Sequence, residues 1–114
     1  MDNCLFCKII AGKIPSACLY EDEQVFVFRD IAPKAPVHFL VVPKKHIANL
    51  MELTPADSAL MGQVVFQAQR VAQEQGLTEK GARFVFNGKE DGGQTVDHIH
   101  LHVLGGRALE WPPG

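Results

Sequence analysis

The run His98-Ile99-His100-Leu101-His102-Val103-Leu104 decides how this chain is read. Alternate residues of a β-strand share a face. On a strand over residues 98–103 the three histidines point one way, and Ile99, Leu101 and Val103 point the other way into a core. With five histidines in 114 residues, a shuffled chain holds such an H-x-H-x-H run roughly 1% of the time, so chance is a poor account of it. The apolar face makes the strand structural and leaves the histidine face for another purpose. Three uses compete. A solvated face is the plainest, but threonine or lysine serves that end without a titrating ring. In a metal site, an H-x-H pair starting about 6.6–6.8 Å apart reaches one ion, whereas the first and third rings start about 13 Å apart. In catalysis, one imidazole attacks phosphorus while its neighbours set its tautomer and donate protons.

The loop entering this strand, Asn87-Gly88-Lys89-Glu90-Asp91-Gly92-Gly93-Gln94-Thr95, brings glycines, an amide and a hydroxyl to the strand's entrance. Glycine-rich turns can aim backbone N–H groups at an anion. Alone it reads as a connection; beside a histidine row it reads as a phosphate cradle. Upstream, Phe84-Val85-Phe86 is a strand. Thr54-Pro55-Ala56-Asp57 is a helix start, with Thr as cap and Pro at the first position. Leu60, Met61, Val64, Val65, Ala68, Val71 and Ala72 form one stripe, so a long amphipathic helix covers about residues 55–75 and stops at Gly76. Val37 to Val42 and Val25 to Phe28 read as strands, the latter apolar on both faces, with the Pro33 and Pro36 loop between them. Cys18 to Tyr20 is a further short strand. Leu5, Phe6, Ile9 and Ile10 have helical spacing in a segment from Leu5 to Ile14, ended by Gly12 and Pro15. Short connections among the early strands favour antiparallel pairing. The expected class is α+β, an antiparallel five-stranded sheet with one long helix on a face and a short N-terminal helix, in one domain over residues 1–114.

Composition narrows the function. Eleven basic and thirteen acidic residues give a net charge of −2, with no basic patch for nucleic acid and no charged tail. No uncharged apolar run approaches the ~18 residues that cross a bilayer, so no membrane association is expected. Met1-Asp2-Asn3-Cys4 has neither a basic n-region nor an apolar h-region, so no signal peptide is expected. Three cysteines, an odd number at low density, point to a reducing cytoplasm and not to a disulfide scaffold.

The triad run fits the H-φ-H-φ-H-φ-φ signature of the histidine triad (HIT) superfamily. The resemblance extends over nearly the whole chain. It includes Asp30-Ile-Ala-Pro-Lys-Ala-Pro-Val-His38-Phe-Leu-Val-Val-Pro-Lys-Lys-His46-Ile, Asp91-Gly-Gly-Gln94-Thr95-Val, Leu104-Gly-Gly-Arg107 and the tail Trp111-Pro-Pro-Gly. It is closest to the Hint branch, the purine nucleoside phosphoramidases. That resemblance implies a hydrolase of purine nucleoside phosphoramidates and related nucleotidyl conjugates. His100 is then the nucleophile, forming a nucleotidyl-histidine intermediate that water resolves to a nucleoside monophosphate. A backbone carbonyl following the strand fixes its tautomer, His102 assists protonation of the leaving group, and His98 and His38 complete the cluster from behind. Gln94 and Thr95, with Asn87 near them, hold phosphate oxygens, Asp30 binds the ribose hydroxyls, and Phe6, Ile9, Phe28 and Ile31 clamp the purine. Without the resemblance Asp30 reads as a turn cap and the four apolar residues as core.

The resemblance also implies a two-fold homodimer in which the long helix and the Phe84–Phe86 strand meet their copies and the sheet continues across. Trp111 then shapes the other subunit's pocket. No cofactor is required. Many members of the broader superfamily hold a structural zinc at positions that are here Cys4, Cys7, His46 and His98, whereas the Hint branch generally lacks it; the other reading of Cys4-x-x-Cys7 is two reduced thiols at a helix start. Another class of protein also fits, a nucleotide-binding or protein-interaction module with little turnover. Two positions depart from the close relatives. Asp97 replaces an aromatic residue and by alternation points away from the histidines; Thr95 replaces a serine and keeps the hydroxyl.

Overall fold

The computed structural model describes residues 3–114, so Met1 and Asp2, on which part of the signal-peptide reading rests, lie outside the described residues. The elements in chain order are α1 (Leu5–Ile10), β1 (Cys18–Glu21), β2 (Val25–Arg29), β3 (Val37–Pro43), α2 (Ser58–Glu74), β4 (Ala82–Phe86) and β5 (Leu101–Gly105), with single 3₁₀ turns at Leu50–Glu52 and Pro55–Asp57. The strands form one antiparallel sheet in the order β1-β2-β3-β5-β4. The expected α+β class and five strands are what the chain adopts.

Strand alternation explains the two layers. Val25 and Val27 of β2, Phe39 and Val41 of β3, and Leu101 and Val103 of β5 face α2, where Val64, Ala68, Val71 and Ala72 close over them. The alternate residues Phe26, Phe28, Leu40 and Val42 face the other side and meet Phe6 and Ile9 of α1. A helix therefore covers each face, which is why β2 carries no polar face. Each fully buried Val, Leu or Phe contributes about 1.5–3 kcal/mol of transfer free energy, so the sheet centre, and not either edge, anchors the fold.

Several boundaries differ from the expectation. The strand begins at Leu101 and not at His98, so His98 and His100 lie on the segment leading into it. The reason is pairing: β3 and β4 both start their register with β5 at Leu101. Alternation therefore does not govern Asp97, which is exposed within the bend over residues 96–98. α1 stops at Ile10, four residues short of Ile14, because Gly12 takes φ +78 and turns the chain. Residues 55–57 form a 3₁₀ turn ahead of the α-helix, and there the Thr54 N–H donates to Asp57 Oδ2 at 3.0 Å.

Candidate active site

β3 and β5 are hydrogen-bonded neighbours, with His38 opposite Leu104 and Leu40 opposite His102. This pairing brings His38 and His102 onto the α1 side of the sheet. The Lys34 N–H donates to His38 Nδ1 at 3.0 Å. A ring nitrogen that accepts carries no proton, so in the neutral ring the proton is on Nε2. His38 Nε2 lies 3.0 Å from His102 Nδ1 and 3.5 Å from Asp30 Oδ2. His102 Nδ1 is therefore an acceptor, and its proton sits on Nε2. The direction of this chain follows from a single main-chain N–H.

His100 obeys a separate instruction. Its Nδ1 is 2.8 Å from the carbonyl oxygen of His98. A carbonyl only accepts, so Nδ1 carries the proton and Nε2 keeps its lone pair. The controlling carbonyl is thus that of His98, two residues before the ring, and not one following the strand; only the preceding peptide curls back within reach. The Phe6 ring packs edge-on against His100 with centroids 4.9 Å apart. Burial, opposed by the His98 carbonyl and Asp30, holds His100 below the usual imidazole range. Burial, reinforced by His100 and His38, lowers His102 to about 4. Burial also lowers His38, against the pull of Asp30. All three rings are neutral at pH 7, and an unprotonated Nε2 on His100 is what nucleophilic attack needs.

A cleft of about 230 Å³ opens over these rings. His100, His102, Asp30, Thr95 and Ser16 supply its polar lining, and Phe6, Ile9, Phe28 and Ile31 are part of its apolar wall. Asp30 Oδ1 accepts the Ala32 N–H at 2.8 Å, which folds the loop after β2 and leaves Oδ2 toward His38. Ile31 stands at the rim, 96% exposed, whereas Phe6 and Phe28 are buried at the back.

His98 belongs to a different group. Its Nε2 donates to the Pro43 carbonyl at 2.8 Å, which leaves the Nδ1 lone pair 3.4 Å from Cys4 Sγ and 3.6 Å from Cys7 Sγ. His46 Nδ1 lies 3.4 Å from Cys7 Sγ. The four donor atoms all fall within 4.8 Å of one another. Tetrahedral zinc, with bonds of about 2.3 Å to sulfur and 2.0–2.1 Å to nitrogen, separates its S and N ligands by about 3.6 Å, so the donor set fits that ion. The Pro43 carbonyl holds the His98 tautomer from the second side, as a metal-bound imidazole requires. Burial and the neighbouring Cys4 push the Cys7 thiol up to about 11.

A family model for the HIT domain matches residues 11–109. The chain belongs to the HIT family. An uncharacterized HIT-like protein of Synechococcus elongatus is 50% identical over 99% of this chain and 98% of its own length. The crystal structure of a HIT family hydrolase from Legionella pneumophila has a TM-score of 0.97 and 52% identity, covering 98% of this chain and all of that one. A histidine triad nucleotide-binding protein from Candida albicans has a TM-score of 0.83 and 30% identity, covering 96% of this chain and 83% of its own. The fold of this HIT chain is thus the fold of HIT family hydrolases.

The residues singled out in the sequence are distributed unevenly over the HIT site. The cleft gathers His100, His102, Asp30, Thr95, Phe6, Ile9, Phe28 and Ile31, with His38 directly behind His102. His98 offers His100 its carbonyl while its ring faces the thiols, so it does not complete the catalytic cluster. Gln94 is a brace: Nε2 donates to Ala48 O at 2.7 Å and Val96 O at 2.9 Å, and Oε1 accepts the Lys89 N–H at 2.9 Å. Its amide places Thr95 and has no proton left for a phosphate. Asn87 lies past the end of β4 and outside the cleft, and Trp111 is 82% exposed. Asp97 and Cys4 border a separate open groove beside the thiol group. Ser16 and the Lys34 N–H were not anticipated. Pro15 and Pro33, each one residue earlier, were the available signals, since a proline fixes the chain just before the donor.

Proposed function

We propose that this HIT chain hydrolyses purine nucleoside phosphoramidates and related nucleotidyl conjugates. The carrying observation is the Nδ1 proton of His100 held on the His98 carbonyl, which leaves Nε2 as the nucleophile beside a cleft with an acid, a hydroxyl and an apolar wall. His100 Nε2 forms a bond to the α-phosphorus as the phosphorus–nitrogen bond breaks. The leaving amine accepts a hydrogen bond from His102 Nε2–H and takes its proton from a solvent water. Water then cleaves the nucleotidyl-histidine, gives the nucleoside monophosphate, returns a proton and restores the ring. Asp30 Oδ2 receives the ribose hydroxyls, Thr95 Oγ1 faces the phosphate, and Phe6, Ile9, Phe28 and Ile31 hold the purine, as in an AMP conjugate.

Cys4, Cys7, His46 and His98 hold a structural zinc in this reading. The ion's chemistry there is that of a cross-link, tying the start of α1 to the end of β3 and the lead-in of the triad, and the reaction needs no cofactor. Three free cysteines fit a reducing compartment, the cytoplasm. No helix among the described residues is long and apolar enough to cross a membrane. Val65, Phe66 and Phe84 are about half exposed and β4 ends the sheet, which supports a homodimer joined through α2 and β4, with Trp111 reaching the other subunit's cleft.

The test is release of AMP from an adenosine phosphoramidate by wild type and by His100→Ala. Wild type turns over, and His100→Ala loses at least ~10³-fold in kcat while binding AMP within about threefold. Equal turnover by both would sink the nucleophile assignment. AMP binding without turnover by wild type would make the chain a nucleotide-binding module.

A further inference from the structure

Arg107 lies beyond β5, outside the cleft, and its guanidinium forks onto two main-chain carbonyls. Nη2 donates to Lys34 O at 2.9 Å, and Nη1 to Ala108 O at 3.1 Å. Lys34 is the residue whose N–H fixes His38 Nδ1 as an acceptor. The chain reaches this loop through Gly106, which has φ +93 and lies so close to Pro36 that a Cβ there would meet Pro36 Cβ at 2.9 Å. The loop itself is stiff, with Pro33 and Pro36 fixing φ and the Ala32 N–H held by Asp30. Arg107 is the one side chain that the hydrogen bonds of the described residues show gripping Lys34 from outside.

The geometry points to Arg107 as a positioning residue that sets the tautomer of His102 through Lys34 and His38. The Lys34 N–H forbids a proton on His38 Nδ1. His38 must then donate from Nε2 to His102 Nδ1, and His102 must present Nε2–H. If Lys34 drifts, the chain can reverse. His38 then carries its proton on Nδ1 and accepts at Nε2, and His102 carries its proton on Nδ1 and accepts at Nε2. One proton shifts on each ring, both rings stay neutral, and the cleft loses its only donor from this chain of rings. The same lock separates Asp30, His38 and His102 from a metal site, although their donor atoms are close enough for one. A metal needs the lone pair of His38 Nε2, and the Lys34 N–H keeps a proton there. Lysine at position 107 would be a point charge without a fork, so Arg107→Lys should hold Lys34 only in part.

The kinetic arm of the test rests on the phosphoramidase reading, and the spectroscopic arm does not. Long-range ¹H–¹⁵N correlation spectra at neutral pH report which nitrogen of each histidine carries the proton. In wild type, His38 and His102 are both Nε2–H, and His100 is Nδ1–H. In Arg107→Ala, His38 and His102 each show a second, reversed population, whereas His100 is unchanged because the His98 carbonyl sets it. Arg107→Lys lies between. A donor on the bridging atom matters most for a poor leaving group. Thus kcat for an alkylamine phosphoramidate of AMP falls about tenfold in Arg107→Ala, less than the ~10²–10⁴-fold of a positioned proton donor because the reversal is partial. For a nitrophenyl ester of AMP it falls less than about twofold, and KM is unchanged for both. Unaltered His38 and His102 tautomers, or equal losses on the two leaving groups, would overturn the inference. If Arg107→Ala does not fold, Arg107→Gln carries the same spectra. If wild type hydrolyses neither substrate, the phosphoramidase reading fails and the spectra still decide the role of Arg107.

Discussion

Two groups of imidazoles lie on either side of His100, and both place three or more ligand-type atoms within 4.8 Å. Around His98, the Pro43 carbonyl takes the ring proton and a lone pair is aimed at two thiols. Around His38, a main-chain N–H takes the lone pair and a proton is aimed at His102 and Asp30. Each group sets two histidines beside other ligand-type side chains, thiols in the first and a carboxylate in the second, yet one is built to receive a cation and the other to pass on a donor. The difference is whether the backbone group behind each ring is C=O or N–H. Proximity of histidines therefore says little until the group on the far nitrogen is known.

The largest effect expected from this contrast is on metal content. Purified protein should carry about one zinc per chain by elemental analysis, and Cys4→Ser should lower it close to zero, with Tm down by roughly 10 °C or more. Asp30→Asn and His38→Ala should keep the zinc. Zinc retained in Cys4→Ser but lost in His38→Ala would reverse the two assignments.

The sequence allowed some of this contrast to be read and hid the rest. The alternation of Val25-Phe26-Val27-Phe28 and the stripe of α2 depend on side-chain periodicity alone; the strand appears as expected, and the stripe does at Val64, Ala68, Val71 and Ala72, whereas Val65 turns to the exposed side and Gln67 is buried in the face. The cleft residues were reachable through the family resemblance; by their own chemistry Asp30 reads as a turn cap, a job it also does at the Ala32 N–H, and Phe6, Ile9, Phe28 and Ile31 read as core. The lead-in to β5 was misjudged because H-φ-H-φ-H has the same period whether or not a neighbouring strand pairs with it. Register with β3 and β4 decides that, and register is non-local. Gln94 was misjudged for a related reason: an amide beside glycines fits an anion as well as it fits the Ala48 and Val96 carbonyls. The Lys34 N–H, which orients His38, belongs to the backbone, and its one sign in residue type is Pro33 just before it.

The next effect is on stability against pH. His102 falls from an ordinary value of 6.5 to about 4 in the folded chain, by burial and by the facing rings of His100 and His38, with Asp30 opposing. The unfolded chain thus binds a proton between pH 6.5 and 4 that the folded chain refuses. The stabilisation is complete above pH 6.5 and is lost as pH falls toward 4. With solvent screening of a half-buried ring taken into account, that window corresponds to roughly 1–2 kcal/mol for this group. Urea unfolding across it should show wild type losing stability steadily, and His102→Asn losing clearly less. Parallel curves would mean that His102 titrates normally and that the rings behind it are not closed to water.

The smallest effect separates the two jobs of Asp30. Asparagine retains an Oδ1 that accepts the Ala32 N–H, so Asp30→Asn should leave the loop after β2 folded. It removes the charge at Oδ2, which lies 3.5 Å from His38 Nε2. A charge-assisted pair of hydrogen bonds to ribose is worth about 1.5 kcal/mol or a little more, which is roughly a tenfold rise in the Kd for AMP. The comparison that isolates the ribose contact is a 2′,3′-dideoxy nucleotide, which lacks the hydroxyls. Wild type and Asp30→Asn should bind it with nearly equal Kd in calorimetry, because the contact is missing in both. If Asp30→Asn instead weakens both nucleotides equally, Asp30 acts through His38 and the shape of the cleft, and the ribose is held elsewhere. The tautomers of His38 and His102 should stay as in wild type throughout, since the Lys34 N–H and not the Asp30 charge chooses them.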